Sequence, residues 1–438
     1  ALRHGRRKAA VSALTSKKHA LHCQAAHYAL PDMFSTSRPP RLAPVLIASG
    51  IILSLVMGVR HGFGFWLQPI SQAHQWTRET YSLAMAAQNL LWGVFGPLAG
   101  IAADRLGTAR VVVVGALLYA GGLLWMALIP HPGAFVIGSG ILIGAAMACT
   151  AFGALSGIVG RTASVAQRSW AFGILGAAGS FGQFAMVPVE QQLIAITDWH
   201  QALWVLAATL VLVVLPLSLM LREPTGVHPT HAAPQSVTEA IREAFGHRPF
   251  MLLVAGYFVC GFQVVFIGVH LPAYLRDQGI TDPQVAVTAL ALIGLFNIFG
   301  SYYAGKLGGW LPKRYLLSGI YLIRAILITM FLMAPLSPLT VYLFSASMGL
   351  LWLSTVPLTN GMVAGIFGVR YLSMLSGFVF LSHQIGSFIG VWLGGYLYTA
   401  EGSYQTVWLI TIALGLFASL VNLPINESPI AREPVAAT

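Results

Sequence analysis

Charge is what this chain has least of. Asp, Glu, Lys and Arg together make up only 8% of its 438 residues, where a water-soluble domain carries about 25%. A soluble core does not account for that deficit; lipid-facing surface does. Acids are the scarcer sign, 13 against 24 Lys and Arg. Cysteine occurs three times, as Cys23, Cys149 and Cys260, without the spacing of a metal site. No phosphate-binding loop, zinc-ligand pattern or nucleophile triad stands out, so nothing points to an enzyme, a bound metal or a cofactor. The period-2 alternation of a membrane barrel is missing as well. No cleavable signal is evident, because the first apolar run is too long and too late.

What the chain does have is twelve long apolar stretches, at about 44–71, 81–103, 110–130, 134–158, 168–192, 201–221, 250–275, 284–306, 314–334, 338–364, 372–398 and 404–423. A span needs roughly 20 apolar residues to cross about 30 Å of hydrocarbon. Backbone groups in lipid must bond within their own segment, so these runs are expected to be helices. The fold class is an all-α membrane protein with twelve transmembrane helices. An even count puts both termini on one side. Loops on that side hold Arg105, Arg110, Arg161, Arg168, Arg222, Arg242, Arg248, Lys306, Lys313, Arg314, Arg370 and Arg432, against Arg78 and Arg276 on the other. By the positive-inside rule both termini are cytoplasmic. The same bias explains much of the net charge of +11, so basicity points to the lipid bilayer and not to nucleic acid.

The longest polar interval divides the spans six and six. The expected organisation is a basic, disordered tail over 1–43, a six-helix bundle over 44–222, a linker over 223–249, a second bundle over 250–423 and a cytoplasmic tail over 424–438. Residues 1–32 hold six Lys and Arg against Asp32 alone, and Met33 would make a sensible natural start. In the linker, Glu239, Arg242 and Glu243 can lie on a short amphipathic helix. Weak echoes link the halves: Gly58-Val59-Arg60 with Gly268-Val269-His270, Ala99-Gly100 with Ala304-Gly305, and Gly179-Ser180-Phe181 with Gly386-Ser387-Phe388. Their offsets run from 204 to 210, which suggests a duplication and places His270 in the repeat position of Arg60.

The loop after the second span reads Gly100-Ile-Ala-Ala-Asp104-Arg105-Leu-Gly107-Thr-Ala-Arg110. Gly100 allows two helices to approach closely. Asp104 can accept from backbone amides at the start of a neighbouring helix, and Arg105 and Arg110 can pair with acids or helix-end carbonyls. Gly100, Asp104, Arg105, Gly107 and Arg110 are the candidate gating residues. The matching loop after span 8, Gly305 to Arg314, lacks the acid. The first loop resembles the signature loop of the major facilitator superfamily of secondary transporters. That resemblance implies two pseudo-symmetric six-helix bundles that rock about a solute site near the membrane midplane.

Ionisable groups inside spans are costly, on the order of 2.5–3.5 kcal/mol for Arg on insertion scales, and mark solute pathways. Few exist here. Arg60 and His61 lie in span 1, His270 in span 7, and His383 with Gln384 in the middle of span 11. Arg324 lies mid-span 9 and is read as structural; Glu190 lies near the outer end of span 5 and is read as interfacial. No other acid lies deep in a span, which gives the interior a cationic and neutral polar character suited to an anion. Arg offers a planar fork for a carboxylate. Candidate solute ligands are Arg60, His61, Gln263, His270, Asn297, Ser301, His383 and Gln384. His61, His270 and His383 are candidate proton carriers, because imidazole changes charge near neutral pH. Gln88, Asn89, Gln183 and Asn360 add polar amides that serve equally as interhelical bonds.

The run Arg60-His-Gly-Phe-Gly-Phe-Trp-Leu-Gln-Pro69-Ile70, followed by Trp76-Thr-Arg78-Glu79, resembles bacterial members of the monocarboxylate transporter group and the related oxalate/formate antiporters. In animal members a span-1 lysine contributes to the substrate site; by register it falls at His61, beside Arg60. The group's span-8 pattern carries an arginine where this chain has Ser301, four residues after Asn297. Lack of that second cation counts against a dicarboxylate. The resemblance implies proton symport of a small organic anion, a monocarboxylate, by a monomer in a bacterial inner membrane. The alternative is a proton-coupled drug or metabolite exporter. Against it, span 5 lacks a Gly-Pro-x-x-Gly-Gly element, and spans 1 and 4 lack an acid.

Overall fold

A computed structural model describes residues 42–74, 78–129, 131–223 and 235–430. Nearly all of the expected basic tail, with Cys23 and Met33, lies outside the described residues, as do 431–438 of the C-terminal tail. The described residues belong to one compact unit, Pro40–Thr438. Its twelve long helices are α1 (Leu42–His74), α2 (Arg78–Leu106), α3 (Thr108–Leu128), α4 (Pro132–Thr162), α5 (Val165–Ile196), α6 (Trp199–Ser218), α7 (Arg248–Asp277), α8 (Pro283–Leu307), α9 (Lys313–Met333), α10 (Pro338–Phe367), α11 (Leu372–Glu401) and α12 (Gln405–Asn422). Among the described residues all but α2 are long and apolar enough to cross a membrane. The exception carries Gln88, Asn89 and Pro97 in its middle.

Helix ends follow local chemistry. Asp198, Asp282 and Ser337 each accept a backbone N–H at the start of α6, α8 and α10, as N-cap residues do. Two helices are broken at matching places. Ala151 leaves the helical region inside α4 (φ −85°, ψ −170°), and α10 is interrupted between Leu351 and Thr355. In the linker, Val237–Gly246 forms a short helix whose Ser236 and Glu239 make a reciprocal capping box.

Small residues set the helix crossings. Helix α1 pairs most closely with α5, and α7 with α11; α3 with α6 has its counterpart in α9 with α12. A Cβ on Gly182 would fall 1.9 Å from the Ser54 carbonyl oxygen, and one on Gly386 would fall 2.0 Å from that of Phe258. Both crossings therefore need glycine. Gly182 and Gly386 lie 204 positions apart, as do Ser54 and Phe258, so the repeat register sits at the low end of the expected offsets. In that register the counterpart of His270 is Trp66. The expected match of His270 with Arg60 is thus displaced by six residues, because short Gly-Val echoes recur by chance in apolar helices.

Two lines of contact join the bundles. Along α2 and α11, Gly100 lies against the Ser373–Met374 backbone, Gly96 against Gly377, and Gly93 against Gln384. Along α5 and α8, Gly308 lies against Ser169, Gly173 against Gly305, and Gly176 against Ser301. Both lines start at the face that carries the loop between α2 and α3 and run inward to mid-span. That basic face is closed.

Candidate functional site

Arg60 on α1 is half-buried and donates through Nη2 to the Asn89 side-chain oxygen on α2. Its guanidinium carbon stands 5.1 Å from the centroid of the Trp92 ring, a cation–π distance. Trp92 in turn meets Phe380 of α11 at 4.6 Å between centroids. Phe380 stacks on His383 at 5.5 Å and 13°. His383 Nδ1 lies 3.1 Å from Gln384 Oε1, and Gln384 Nε2 donates to the Asn89 carbonyl at 2.7 Å. The six residues close a ring across the bundle interface. The expected ligands Arg60, His383 and Gln384 thus come together, from different bundles. Asn89, Trp92 and Phe380 complete the ring. Asn89 was legible in the sequence as a polar residue in a span; the two aromatic rings were not, since aromatics in spans are ordinary packing.

The Arg60 Nε–H is buried without an acceptor. Buried donors are rarely left unpaired, so this edge of the guanidinium is free for an incoming oxygen. His383 carries a second shell: Tyr257 at 5.1 Å between rings, and Ser387 Oγ, which donates to the His383 carbonyl at 2.8 Å. His61 is exposed.

Four expected ligands lie apart from the ring. Asn297 donates from Nδ2 to Ser180 Oγ at 2.8 Å across the α5–α8 line, and its Oδ1 accepts from Leu353 N at 3.0 Å and Ser301 Oγ at 3.3 Å. Asn297 and Ser301 are both buried, so they tie the break in α10 to the opposite bundle. His270 meets the Val391 carbonyl at 3.0 Å and Tyr404 Oη at 3.3 Å within its own bundle. Gln263 is turned away from the interface altogether. Its amide donates to the Thr411 carbonyl at 3.0 Å and accepts from Arg324 at 3.4 Å. The expectation of Gln263 as a solute ligand is not supported by this placement, because both ends of its amide are engaged inside one bundle.

Arg324 is fully buried and donates to the carbonyls of Leu351 and Trp352, at the break in α10. Glu190 corrects the interfacial reading: its residue is 0% exposed and its Oε2 accepts from Trp66 Nε1 at 2.7 Å.

At the closed face Asp104 accepts from Met374 N at 2.9 Å and Ser373 N at 3.4 Å, at the start of α11. Helix starts favour a negative charge there. The cation beside it is Arg161 of α4, 2.8 Å away. Arg161 also donates from Nε to Glu223 Oε2 at 2.9 Å, from Nη2 to Glu223 Oε1 at 3.0 Å, and from Nη2 to Thr108 Oγ1 at 3.0 Å. Burial pushes the Glu223 carboxyl up, but the hydrogen bonds and charge of Arg161, with Thr108, outweigh it and hold it below the usual glutamate range. Gly107 opens α3 at φ +91°, a left-handed conformation that favours glycine. Arg105 and Arg110 are exposed. The pairing expected of them falls to Arg161, which the sequence showed only as one more loop cation. Arg110 instead lines a surface cavity of about 710 Å³ with Arg222 and Glu223.

The comparisons agree with this geometry. Residues 46–363 match the description "Major Facilitator Superfamily". An uncharacterized MFS-type transporter of Bacillus subtilis, YcxA, is 23% identical over 90% of this chain and 98% of its own length. Monocarboxylate transporter 13 of Rattus norvegicus is 26% identical over 87% of this chain and 88% of its own. Among solved structures, the fucose:proton symporter FucP of E. coli in its outward conformation superposes with a TM-score of 0.69 at 17% identity, covering 87% of this chain and 97% of its own. The proton:xylose symporter XylE superposes with a TM-score of 0.63 at 14% identity, covering 86% of this chain and 94% of its own. Those last two likenesses are of fold alone. With a family match over most of its length and the paired bundles that go with it, the chain belongs to the Major Facilitator Superfamily.

Proposed function

We propose that this transporter moves a small organic anion, a monocarboxylate, by alternating access with proton symport. The observation that carries the reading is the Arg60 guanidinium, seated at the bundle interface with a buried, unpaired Nε–H. A carboxylate laid against that edge accepts charge-assisted hydrogen bonds, roughly twice as strong as neutral ones. His383 and Gln384 lie across the interface on the other bundle, so a solute held between them senses the relative motion of the two. Similarity to a monocarboxylate transporter supports the solute class. The single cation in the ring suits one carboxylate.

Rocking alternates access to this ring. The closed face is the basic one, which the positive-inside rule assigns to the cytoplasm, so the ring is reached here from outside. Gly100, Asp104, Arg161, Thr108 and Glu223 hold that closure, and must part for the solute to leave inward. Arg105 and Arg110, exposed beside them, attract anionic headgroups. His61, His270 and His383 are titratable groups of the interior that can exchange protons during the cycle.

The test is uptake of labelled lactate, pyruvate and a panel of further monocarboxylates into proteoliposomes, with and without an inward proton gradient. Gradient-stimulated uptake of at least one acid is the expected result. No stimulation across a broad panel rejects the reading.

A further inference from the structure

We propose that the Glu190 carboxyl is a proton-binding site of this transporter, housed inside the N-terminal bundle and separate from the cross-bundle ring. The inference rests on the proton-linked reading above and names a residue for its proton.

Glu190 on α5 is 0% exposed. Its Oε2 has one neutral donor, Trp66 Nε1, and its Oε1 is buried without any partner. Among the described residues it makes no ion pair. Gly62 presses the α1 backbone against the carboxyl: a Cβ there would lie 2.0 Å from Oε2 and 2.6 Å from Oε1. An ionised carboxyl is expensive in such a place, and proteins answer by pairing it or by giving it a proton. No cation pairs it here.

Packing alone does not call for an acid at this position. In the register set by the glycine crossings, Trp66 corresponds to His270 and Glu190 to Gly394. The His270 ring nitrogen Nε2 meets the Val391 carbonyl at 3.0 Å and stands against Gly394. One bundle therefore satisfies the ring N–H of its seventh span with a backbone oxygen; the other spends a buried carboxyl on the equivalent task. A titratable group in one half only is what a proton site requires and what helix packing does not.

Its surroundings are defined. From α1 come Trp66, Arg60 and His61. From α3 comes Tyr119, whose hydroxyl donates to the Val56 carbonyl at 3.3 Å and lies within electrostatic reach of both Glu190 and Arg60. At the start of α6, Asp198 and His200 face each other at 3.8 Å in exposed positions. Helix α8 meets α5 at Gly173, Gly176 and Ser180, roughly three turns nearer the basic face. At that level and beyond, α4 and α10 bring Arg161 and Asn360. His61 is exposed and adjoins the Gly62 that touches the carboxyl, which gives solvent protons an entry. Arg60 and Glu190 thus share one bundle as its interior cation and interior acid. A solute carboxylate on Arg60 and a proton on Glu190 neutralise both, and each leaves when the other face opens.

Infrared difference spectroscopy of the purified, full-length protein in lipid reads this site without any solute. The wild type should show a carboxylic-acid C=O band that is lost as pH rises. Glu190→Gln should lack the band, and Trp66→Phe should shift it by removing its hydrogen bond. An unchanged spectrum in Glu190→Gln, or a band that persists at every pH, overturns the proposal. In proteoliposomes, Glu190→Gln should keep exchange of labelled lactate for lactate at equal pH and lose the response to a proton gradient. A gradient response equal to wild type also overturns it. Should wild type carry no monocarboxylate, the solute reading fails while the infrared result still decides the proton site.

Discussion

Arg60 shows how much one side chain can say in a chain with so little charge. A guanidinium in an apolar run is costly enough to be noticed from sequence, and the structure gives it Asn89 and Trp92 for neighbours with one donor left over. Arg60→Gln should weaken carboxylate binding by about tenfold or more, since hydrogen bonds to charged groups contribute about 1.5–3 kcal/mol. Arg60→Lys should not restore it, because an ammonium cannot reproduce the planar fork; equilibrium binding of lactate and pyruvate to both variants checks this. Arg324, equally rare in the sequence, has a different use. Arg324→Met should leave the Leu351 and Trp352 carbonyls unpaired at the break in α10. Each such buried group costs about 1–3 kcal/mol, which should appear as a lowered Tm. Sequence separated these two arginines only through their place in the fold. It could not separate Gln263 from Gln384, because both are amides in apolar helices and only the crossings reveal which one faces the other bundle. Glu190 was misread for a related reason: its position near a span end is visible in the chain, whereas the reach of Trp66 across from α1 is not.

At the scale of helices, the glycines decide where bundles touch. A side chain at Gly100 would put its Cβ 2.5 Å from the Ser373 backbone, so Gly100→Leu should hold the basic face apart. Spin labels on the basic ends of α2 and α11 should report a longer distance in that variant, with insertion into the membrane unchanged. Asp104→Asn should act in the same direction. Asp104 is fully buried and Arg161 nearly so, and removing one partner of such a pair costs on the order of 3–5 kcal/mol. Transport should fall while membrane insertion is spared. The Glu223 arm is also pH-dependent, and its sign follows from its lowered position. A depressed carboxyl supports closure at all pH above the ordinary glutamate range and loses that support as pH falls through its folded value. Acidifying the basic side should therefore lengthen the same spin-label distance, and Glu223→Gln should abolish the change. Asp104 stood out in the sequence because its loop is short and patterned. Arg161 and Glu223 did not, since ion pairs between residues far apart in the chain leave no local mark.

For the whole molecule, hydropathy and loop charge carried most of the fold. Twelve apolar stretches became twelve helices with ends within a few residues of those expected, because a bilayer leaves the backbone few alternatives. The breaks in α4 and α10 were not legible, as neither carries a glycine–proline signal at the point of interruption. The repeat was visible but its register was not; only the backbone contacts at Gly182 and Gly386 fix it. Two bundles that meet at the basic face, with a ring of side chains at the inner limit of that contact, make a device in which binding and movement share residues.

The central claim is that this ring holds an organic anion on Arg60. Thermal stabilisation by a panel of carboxylic acids tests it most directly, since a ligand that binds the native state raises stability as RT ln(1 + [L]/Kd). The account predicts a concentration-dependent rise in Tm for wild type with at least one monocarboxylate, and no rise for an equally well folded Arg60→Gln. An equal rise in both proteins, or no rise in wild type with any acid, would contradict it.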